Sequence, residues 1–256
     1  MEKTLEVAGT RVARIGLGTN RLARKQQNVA FVREAIEAGV GLIDTAHLYT
    51  GGESEATIGE ALSPRPEGVV IATKGGFRPG QGSREVLREQ IEESLRRLRT
   101  DHIQLYYLHR VDPETPLEAS LAAIKEYQEA GKIGQVGLSE VGTAEIERAR
   151  EVVEVAAVQN QYNIAERKWD HVVDYCAREG IVFVPYYPLR GGDGGRPVAK
   201  IAKTHGATPS QVLLAWLLRR SPTTLPIPGT LSLAHLTENL AALELELSDD
   251  ELEALT

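Results

Sequence analysis

Apolar residues along this chain follow two alternating rhythms. Short β-branched runs, "RIGLG", "GLIDT", "VVIATK", "IQLYYLH", "IGQVGLS", "AAVQNQ", "IVFVPY" and "TTLPIP", read as eight buried strands. Between them apolar positions recur at helical spacing over residues 28–38, 54–62, 83–98, 116–130, 143–152 and 169–179, in a stretch between 197 and 219, and over 234–241. Punctuation agrees with that division. Ser54 is placed as an N-cap, Pro116 opens a helix, and Gly39, Gly131 and Gly180 stand just past helix ends. Ser248 is placed to cap a final short helix.

Eight strand-helix units in 256 residues give 32 residues per unit. That matches a (β/α)8 TIM barrel of about 250 residues, with a doubly wound open sheet as the alternative. Ahead of the first barrel strand, "LEVAGTRVARI" alternates around Ala8, Gly9 and Thr10, which predicts a β-hairpin plugging the bottom of the barrel. No Pro/Ser-rich linker divides the chain, so residues 1–256 are expected to form one domain. The one low-complexity patch, "GGDGG" at 191–195, reads as a mobile loop of the kind that serves as a lid.

Composition narrows the class. Aromatic residues make up only 5% of the chain, so the core must come from Leu, Val, Ile and Ala. A formal charge of -7 argues against nucleic acid as a partner, and "LRRLR" (95–99) reads as one solvated helix face. The single cysteine, Cys176, excludes an intramolecular disulfide and a cysteine-rich metal site; in "HVVDYCARE" it is expected to be a buried hydrophobe. With no leader-like N-terminus and no unbroken run of about 18 apolar residues, the expectation is a cytoplasmic protein without a membrane partner, a monomer or weak homo-oligomer.

Barrel enzymes carry their working residues at the C-terminal ends of strands. Collected there are Asp44 and Tyr49 after the second strand, Lys74 in the third and His109 after the fourth. Singly each has an ordinary structural reading: a turn cap, a packed aromatic, a surface lysine, a rim histidine. Together they form a set that can protonate a carbonyl oxygen. A tyrosine with an ordinary pKa of about 10 needs a nearby cation to act near neutral pH; Lys74 is expected to be that cation and Asp44 to hold it.

These stretches resemble the aldo-keto reductases, and the resemblance runs nearly end to end. "GLIDTAHLYTGGESEATIGEAL" looks like the family's Asp-Thr-Ala-x-x-Tyr signature, "ATKGG" like its lysine strand and "IQLYYLHRVDP" like its histidine strand. "GKIGQVGLSE", "VQNQYN" and "IPGTLSLAHLTEN" agree in order and spacing. The resemblance implies reduction of an aldehyde or ketone by a nicotinamide cofactor, with Tyr49 as proton donor, Lys74 and Asp44 tuning it and His109 orienting the carbonyl. It also implies that Ser139 and Gln159 hold the nicotinamide carboxamide and that Tyr186 stacks on its ring. Gly18, Thr19 and Asn20 lie near the nicotinamide, Leu189 and Gly191 near the pyrophosphate, and Glu238 and Asn239 near adenine. Ile227, Gly229, Thr230 and His235 complete the cofactor wall.

The chain departs from the family pattern in places. Glu140 follows Ser139 where asparagine is usual. Gly229 and His235 stand where the family often places a Lys and an Arg around a 2′-phosphate, yet Thr230 and the following helix N-terminus can receive one, so NADPH is favoured and NADH is possible. A family-type C-terminal loop is expected to be missing, which shifts substrate contact to Arg21, His47, Phe77 and Arg110, with Leu22 and Arg78, and suggests an anionic or polar carbonyl. A second functional class stays open: a cofactor-binding, redox-sensing module resembling channel β-subunits. A Schiff-base aldolase using Lys74 is a third. "GLGTNR" is not a dinucleotide fingerprint, because its sixth position is Arg21; "GLSEV" lacks the last glycine of a serine-hydrolase elbow; and no histidine spacing supports a metal.

Overall fold

In a computed structural model, residues 2–190 and 194–255 are described. Strands β1 (Thr4–Val7) and β2 (Thr10–Ala13) pair antiparallel as a hairpin. Ala8 and Gly9 turn the chain at φ 49° and 70°, the left-handed pair that a tight hairpin demands. Glycine adopts this freely; Ala8 accepts strain. Val7 and Val12 point into the apolar cluster inside the barrel, and the Ala8 amide donates to Gln135 Oε1 (3.0 Å), so the hairpin closes the barrel floor.

The barrel wall consists of β3 (Leu17–Gly18), β4 (Leu42–Asp44), β5 (Val70–Gly75), β6 (Ile103–Leu108), β7 (Ile133–Ser139), β8 (Val155–Gln159) and β9 (Val182–Phe183), each parallel to the next in chain order. Every residue of β5 and β6 is buried, which explains why these strands read as continuous apolar runs rather than alternating ones. Alternate residues feed two cores. Leu42, Val70, Ala72, Leu105 and Tyr107 fill the interior, while Ile43, Ile71, Tyr106 and Leu108 face the helices outside.

Those helices are α1 (Gln26–Glu37), α2 (Glu53–Leu62), α3 (Arg84–Leu98), α4 (Leu117–Glu129), α5 (Thr143–Arg150), α6 (Asp170–Glu179), α7 (Gly195–His205), α8 (Pro209–Arg220), α9 (Leu233–Ala241) and α10 (Asp249–Ala254). Cys176 is buried on α6, and burial pushes its thiol up to about 12, so it is an inert core residue. Among the described residues no helix is long and apolar enough to cross a membrane.

Three sequence expectations change. The helical stretch between 197 and 219 is two helices, because Gly206 ends α7 at φ 62° and Thr208 starts α8 with a capping box followed by Pro209. Ser54 does not cap α2. Gly52, at φ 92°, precedes the helix, and Ser54 is buried within it, sharing hydrogen bonds with the hydroxyls of Thr19 (2.9 Å) and Thr45 (2.8 Å).

"TTLPIP" forms no regular strand, yet it closes the barrel. Leu225 N–H donates to the Phe183 carbonyl (2.8 Å) on one side; on the other, Gly16 and Gly18 N–H donate to the carbonyls of Pro226 (3.0 Å) and Pro228 (3.2 Å). The two prolines have no N–H to return, so the ladder is half-made and survives only as bridges at Phe183–Thr224 and Gly18–Gly229. Of the predicted lid, Gly191, Gly192 and Asp193 lie outside the described residues.

Candidate active site

The end of β4 is prolonged by backbone hydrogen bonds from Thr45 to Ala72 and from His47 to Lys74, which carry the chain out over the barrel mouth. It then turns tightly, with Tyr49 N–H donating to the Ala46 carbonyl. Thr50, Gly51 and Gly52 follow at φ 49°, 67° and 92°. A β-branched residue in this region costs on the order of 1–3 kcal/mol, and Thr50 is held there through its hydroxyl on the Leu22 carbonyl (3.0 Å). This turn fixes Tyr49 over the cavity.

Asp44 is buried at the end of β4. Its Oδ1 accepts from Lys74 Nζ (2.6 Å), its Oδ2 from Gln159 Nε2 (2.8 Å), and its carbonyl from Thr19 Oγ1 (2.7 Å). Lys74 is wholly buried, and its other hydrogen bond goes to the Thr45 carbonyl (2.6 Å). Burial lowers the lysine's pKa, against which the Asp44 charge and hydrogen bond pull upward.

The expected Lys74–Tyr49 partnership takes a different form. The ammonium lies 5.1 Å from the centre of the Tyr49 ring and spends its hydrogen bonds on Asp44 and Thr45. Burial, then the Asp44 charge, raises the tyrosine far above its ordinary value, and Arg110 opposes this weakly. Tyr49 is therefore a protonated phenol at neutral pH. The His109 ring meets it edge-on at 6.0 Å. Burial, with Lys74 and Arg110 nearby, holds His109 well below the usual imidazole range, so the ring is neutral. Its Nδ1 is buried without a partner among the described residues.

Asp44, Tyr49 and His109 line a cavity of about 690 Å³, while Lys74 lies beneath it. Gly18, Thr19, Asn20, Ser139, Gln159, Tyr186, Ile227 and Gly229 line the same cavity, together with Arg21, Phe77 and Arg110. A Cβ on Gly18 would approach the Ile227 carbonyl to 2.8 Å, so only glycine fits at this seam. Leu189 lines an adjoining hollow of about 330 Å³ that shares Tyr187 and Gly229 with the cavity.

Other expected contacts fall outside. Gly191 is not among the described residues. Thr230, His235, Glu238 and Asn239 line neither space; the Thr230 hydroxyl accepts from Ser232 N–H (3.0 Å), and the Glu238 carboxylate accepts from Thr208 (2.7 Å). His47 and Arg78 line a smaller space of about 210 Å³ behind Phe77 and His109. Leu22 is fully buried in the outer core and lines neither the main cavity nor this smaller space; its N–H closes a turn on the Thr19 carbonyl. Glu140 sits at φ 58° and is engaged by the Gln161 amide (2.5 Å) and Lys168 (3.7 Å).

Leu48, Thr50 and Tyr187 line the cavity without having been singled out in the sequence; the signal was adjacency to Tyr49 and Tyr186. A buried ion network was also missed. Glu55, fully buried, accepts from Thr73 Oγ1 (2.6 Å) and pairs with Arg97 (3.3 Å). Arg97 also donates to the His47 carbonyl (3.0 Å) and pairs with Glu93 (2.8 Å), which holds His47 Nε2 (2.9 Å). This side chain is 18% exposed, so "LRRLR" is not a uniformly solvated face.

Residues 14–194 and 193–256 match the model of the aldo/keto reductase family. The chain is 38% identical over 268 residues to a pyridoxine 4-dehydrogenase of Escherichia coli, covering 95% of this chain and 94% of that protein. A solved thermostable aldo-keto reductase bound to the inhibitor epalrestat superposes with a TM-score of 0.92 at 33% identity, covering 98% of each chain. An aldo-keto reductase from Klebsiella pneumoniae in complex with NADPH gives 0.90 at 31% identity, covering 100% of this chain and 94% of that one.

Proposed function

The chain belongs to the aldo/keto reductase family, and from that premise we propose that it reduces an aldehyde or ketone to an alcohol with NADPH, Tyr49 supplying the proton. The observation that carries this reading is the meeting of Tyr49 and His109 over one cavity, 6.0 Å between rings, with the Asp44–Lys74 pair beneath the phenol.

The wall opposite Tyr49 suits a nicotinamide. Gln159 gives its Nε2 to Asp44 and keeps its amide oxygen for a carboxamide, Ser139 offers a hydroxyl beside it, and Tyr186 offers a ring face. Leu189 and the adjoining hollow would take the pyrophosphate, with Thr230 and the start of α9 toward a 2′-phosphate. Bound there, the cofactor supplies hydride to the carbonyl carbon. This chain's residues handle the oxygen. Neutral His109 orients it by hydrogen bonding, and Tyr49 donates its phenolic proton as alkoxide character develops. The Lys74 ammonium, close to the ring, steadies the tyrosinate until solvent returns the proton.

Tyr49→Phe is expected to reduce NADPH consumption with 4-nitrobenzaldehyde by at least about 100-fold, the usual worth of a positioned acid. Cofactor affinity, read by fluorescence quenching, should hold. Wild-type turnover in the variant would exclude Tyr49 as the donor. Tighter quenching by NADH than by NADPH would reverse the cofactor choice.

A further inference from the structure

We infer that Arg110 anchors an anionic group of the substrate, so that the site takes carbonyl compounds joining a carboxylate to an aromatic or apolar body. This rests on the carbonyl-reductase reading above and assigns its substrate class.

Two guanidinium groups line the main cavity, Arg21 and Arg110. Several other arginines that pack against neighbouring elements are neutralised by carboxylates, Arg97 by Glu55 and Glu93, Arg148 by Glu118 and Arg220 by Asp174, while buried Arg14 spends its donors on the carbonyls of Glu2, Leu218, Ser221 and Thr224. Arg110 forms no ion pair among the described residues. Glu140, next in the chain to its partner Ser139, is held by Gln161 and Lys168 and shares the Tyr186 hydroxyl with Arg110 rather than pairing with it directly. A half-buried guanidinium on a cavity whose lining carboxylate, Asp44, is already paired with Lys74 leaves a forked set of donors for which a carboxylate is the matching shape.

The fork is already in position. Arg110 Nη1 donates to the His109 carbonyl (2.6 Å) and to Ser139 Oγ (3.0 Å), and the guanidinium carbon lies 5.2 Å over the Phe77 ring. Phe77 in turn sits 4.8 Å from the His109 ring. Charge, apolar plate and carbonyl-orienting imidazole therefore stand side by side. An acid whose carbonyl meets His109 can lay its body on Phe77 and bring its carboxylate to Arg110. Phe77 (39% exposed), Leu48 (39%) and Tyr187 (43%) make the same mouth unusually apolar, which gives that body its contacts. Arg21 serves the other wall: it is exposed and donates to the Gly229 carbonyl (3.2 Å), beside Gly18 and Asn20.

The test compares 4-carboxybenzaldehyde with its neutral isostere 4-formylbenzamide, as kcat/KM with NADPH, in the wild type, Arg110→Gln and Arg110→Lys. The wild type should favour the anion at least tenfold. Arg110→Gln should lower that anion-to-neutral ratio by about 10- to 100-fold, the worth of a charge-assisted hydrogen bond. Arg110→Lys should retain part of it, keeping charge without the fork. Benzoate binding to the cofactor-free chain by calorimetry should weaken at least tenfold in Arg110→Gln while the unfolding midpoint holds. A wild-type ratio near one, or a ratio untouched by Arg110→Gln, overturns the inference; so does a variant whose loss falls on NADPH affinity alone. If neither aldehyde turns over, the carbonyl-reductase reading fails, and unweakened benzoate binding in Arg110→Gln would still overturn the role of Arg110.

Discussion

On the wall built from β4, β5, α2 and α3, charges are withdrawn from water and paired: Asp44 with Lys74, Glu55 with Arg97. On the facing wall, from Tyr186 round to α9, there are proline carbonyls, glycines and exposed apolar side chains such as Tyr187 and Leu231. The first wall holds Tyr49 in one geometry, and a misplacement of about 1 Å can cost on the order of 100-fold in rate. Buried pairs are a costly way to obtain rigidity, because each charge depends on its partner. The second wall offers backbone groups and faces to a large ligand and needs no such cross-linking. On the proposed function, preorganisation is concentrated where the proton would be transferred, and openness where the cofactor would enter and leave.

The contrast breaks most sharply at Lys74. Lys74→Met strands the Asp44 carboxylate in the barrel, with an expected loss of about 3–5 kcal/mol in urea unfolding. Adding Asp44→Asn should recover part of that loss, since coupled sites are not additive. An unchanged midpoint in the single variant would show that the pair contributes nothing to the fold.

Gly52→Ala comes next. Its φ of 92° is unfavourable for alanine, and a Cβ there would lie 2.2 Å from the Arg97 guanidinium carbon. Arg97 is a flexible side chain and would swing away, releasing Glu55 and the His47 carbonyl. The expected cost is about 1–3 kcal/mol, with turnover falling more than cofactor affinity. Equal losses in both would mean that the network does not position Tyr49.

A pH titration sharpens the comparison further. Burial, then Lys74 and Arg110, hold folded His109 well below 6.5, so only the unfolded chain takes up a proton near that value. Its contribution is full above pH 6.5 and is lost as pH falls below it, by up to about 1.4 kcal/mol per pH unit. His109→Gln should flatten this part of the stability curve between pH 5 and 7. The smallest effect is expected on the open wall: Leu233→Ser, at an exposed site, should change stability by no more than about 0.5 kcal/mol.

How much of this the sequence carried follows from which forces were local. Asp44, Lys74 and His109 each end or follow an apolar run, and parallel strands bring such ends to one rim, so their meeting was legible. The hairpin and the glycines after α1, α4 and α6 obey local backbone rules in the same way. "TTLPIP" misled because its apolar pattern is that of a strand while its prolines remove the donors a ladder needs. Arg97 was illegible for a tertiary reason. It belongs to a charged helix face, and only the space left by Gly52, together with Glu55 behind it, turns that one guanidinium inward. Asp44 as the holder of Lys74 was legible, whereas the ammonium's place facing the Tyr49 ring rather than its hydroxyl depends on distances no spacing encodes.

The proline seam bears on how the barrel comes to exist. Gly16 and Gly18 wait for carbonyls supplied by Pro226 and Pro228, more than two hundred residues later in synthesis. Until those emerge from the ribosome, β3 is the bare edge of a curled sheet, and contacts this distant form slowly. An edge of two residues, followed by a turn, is a poor template for a stray strand. A brief first strand and a donor-poor last segment give the nascent chain a protected interval in which it can remain unclosed without recruiting neighbours.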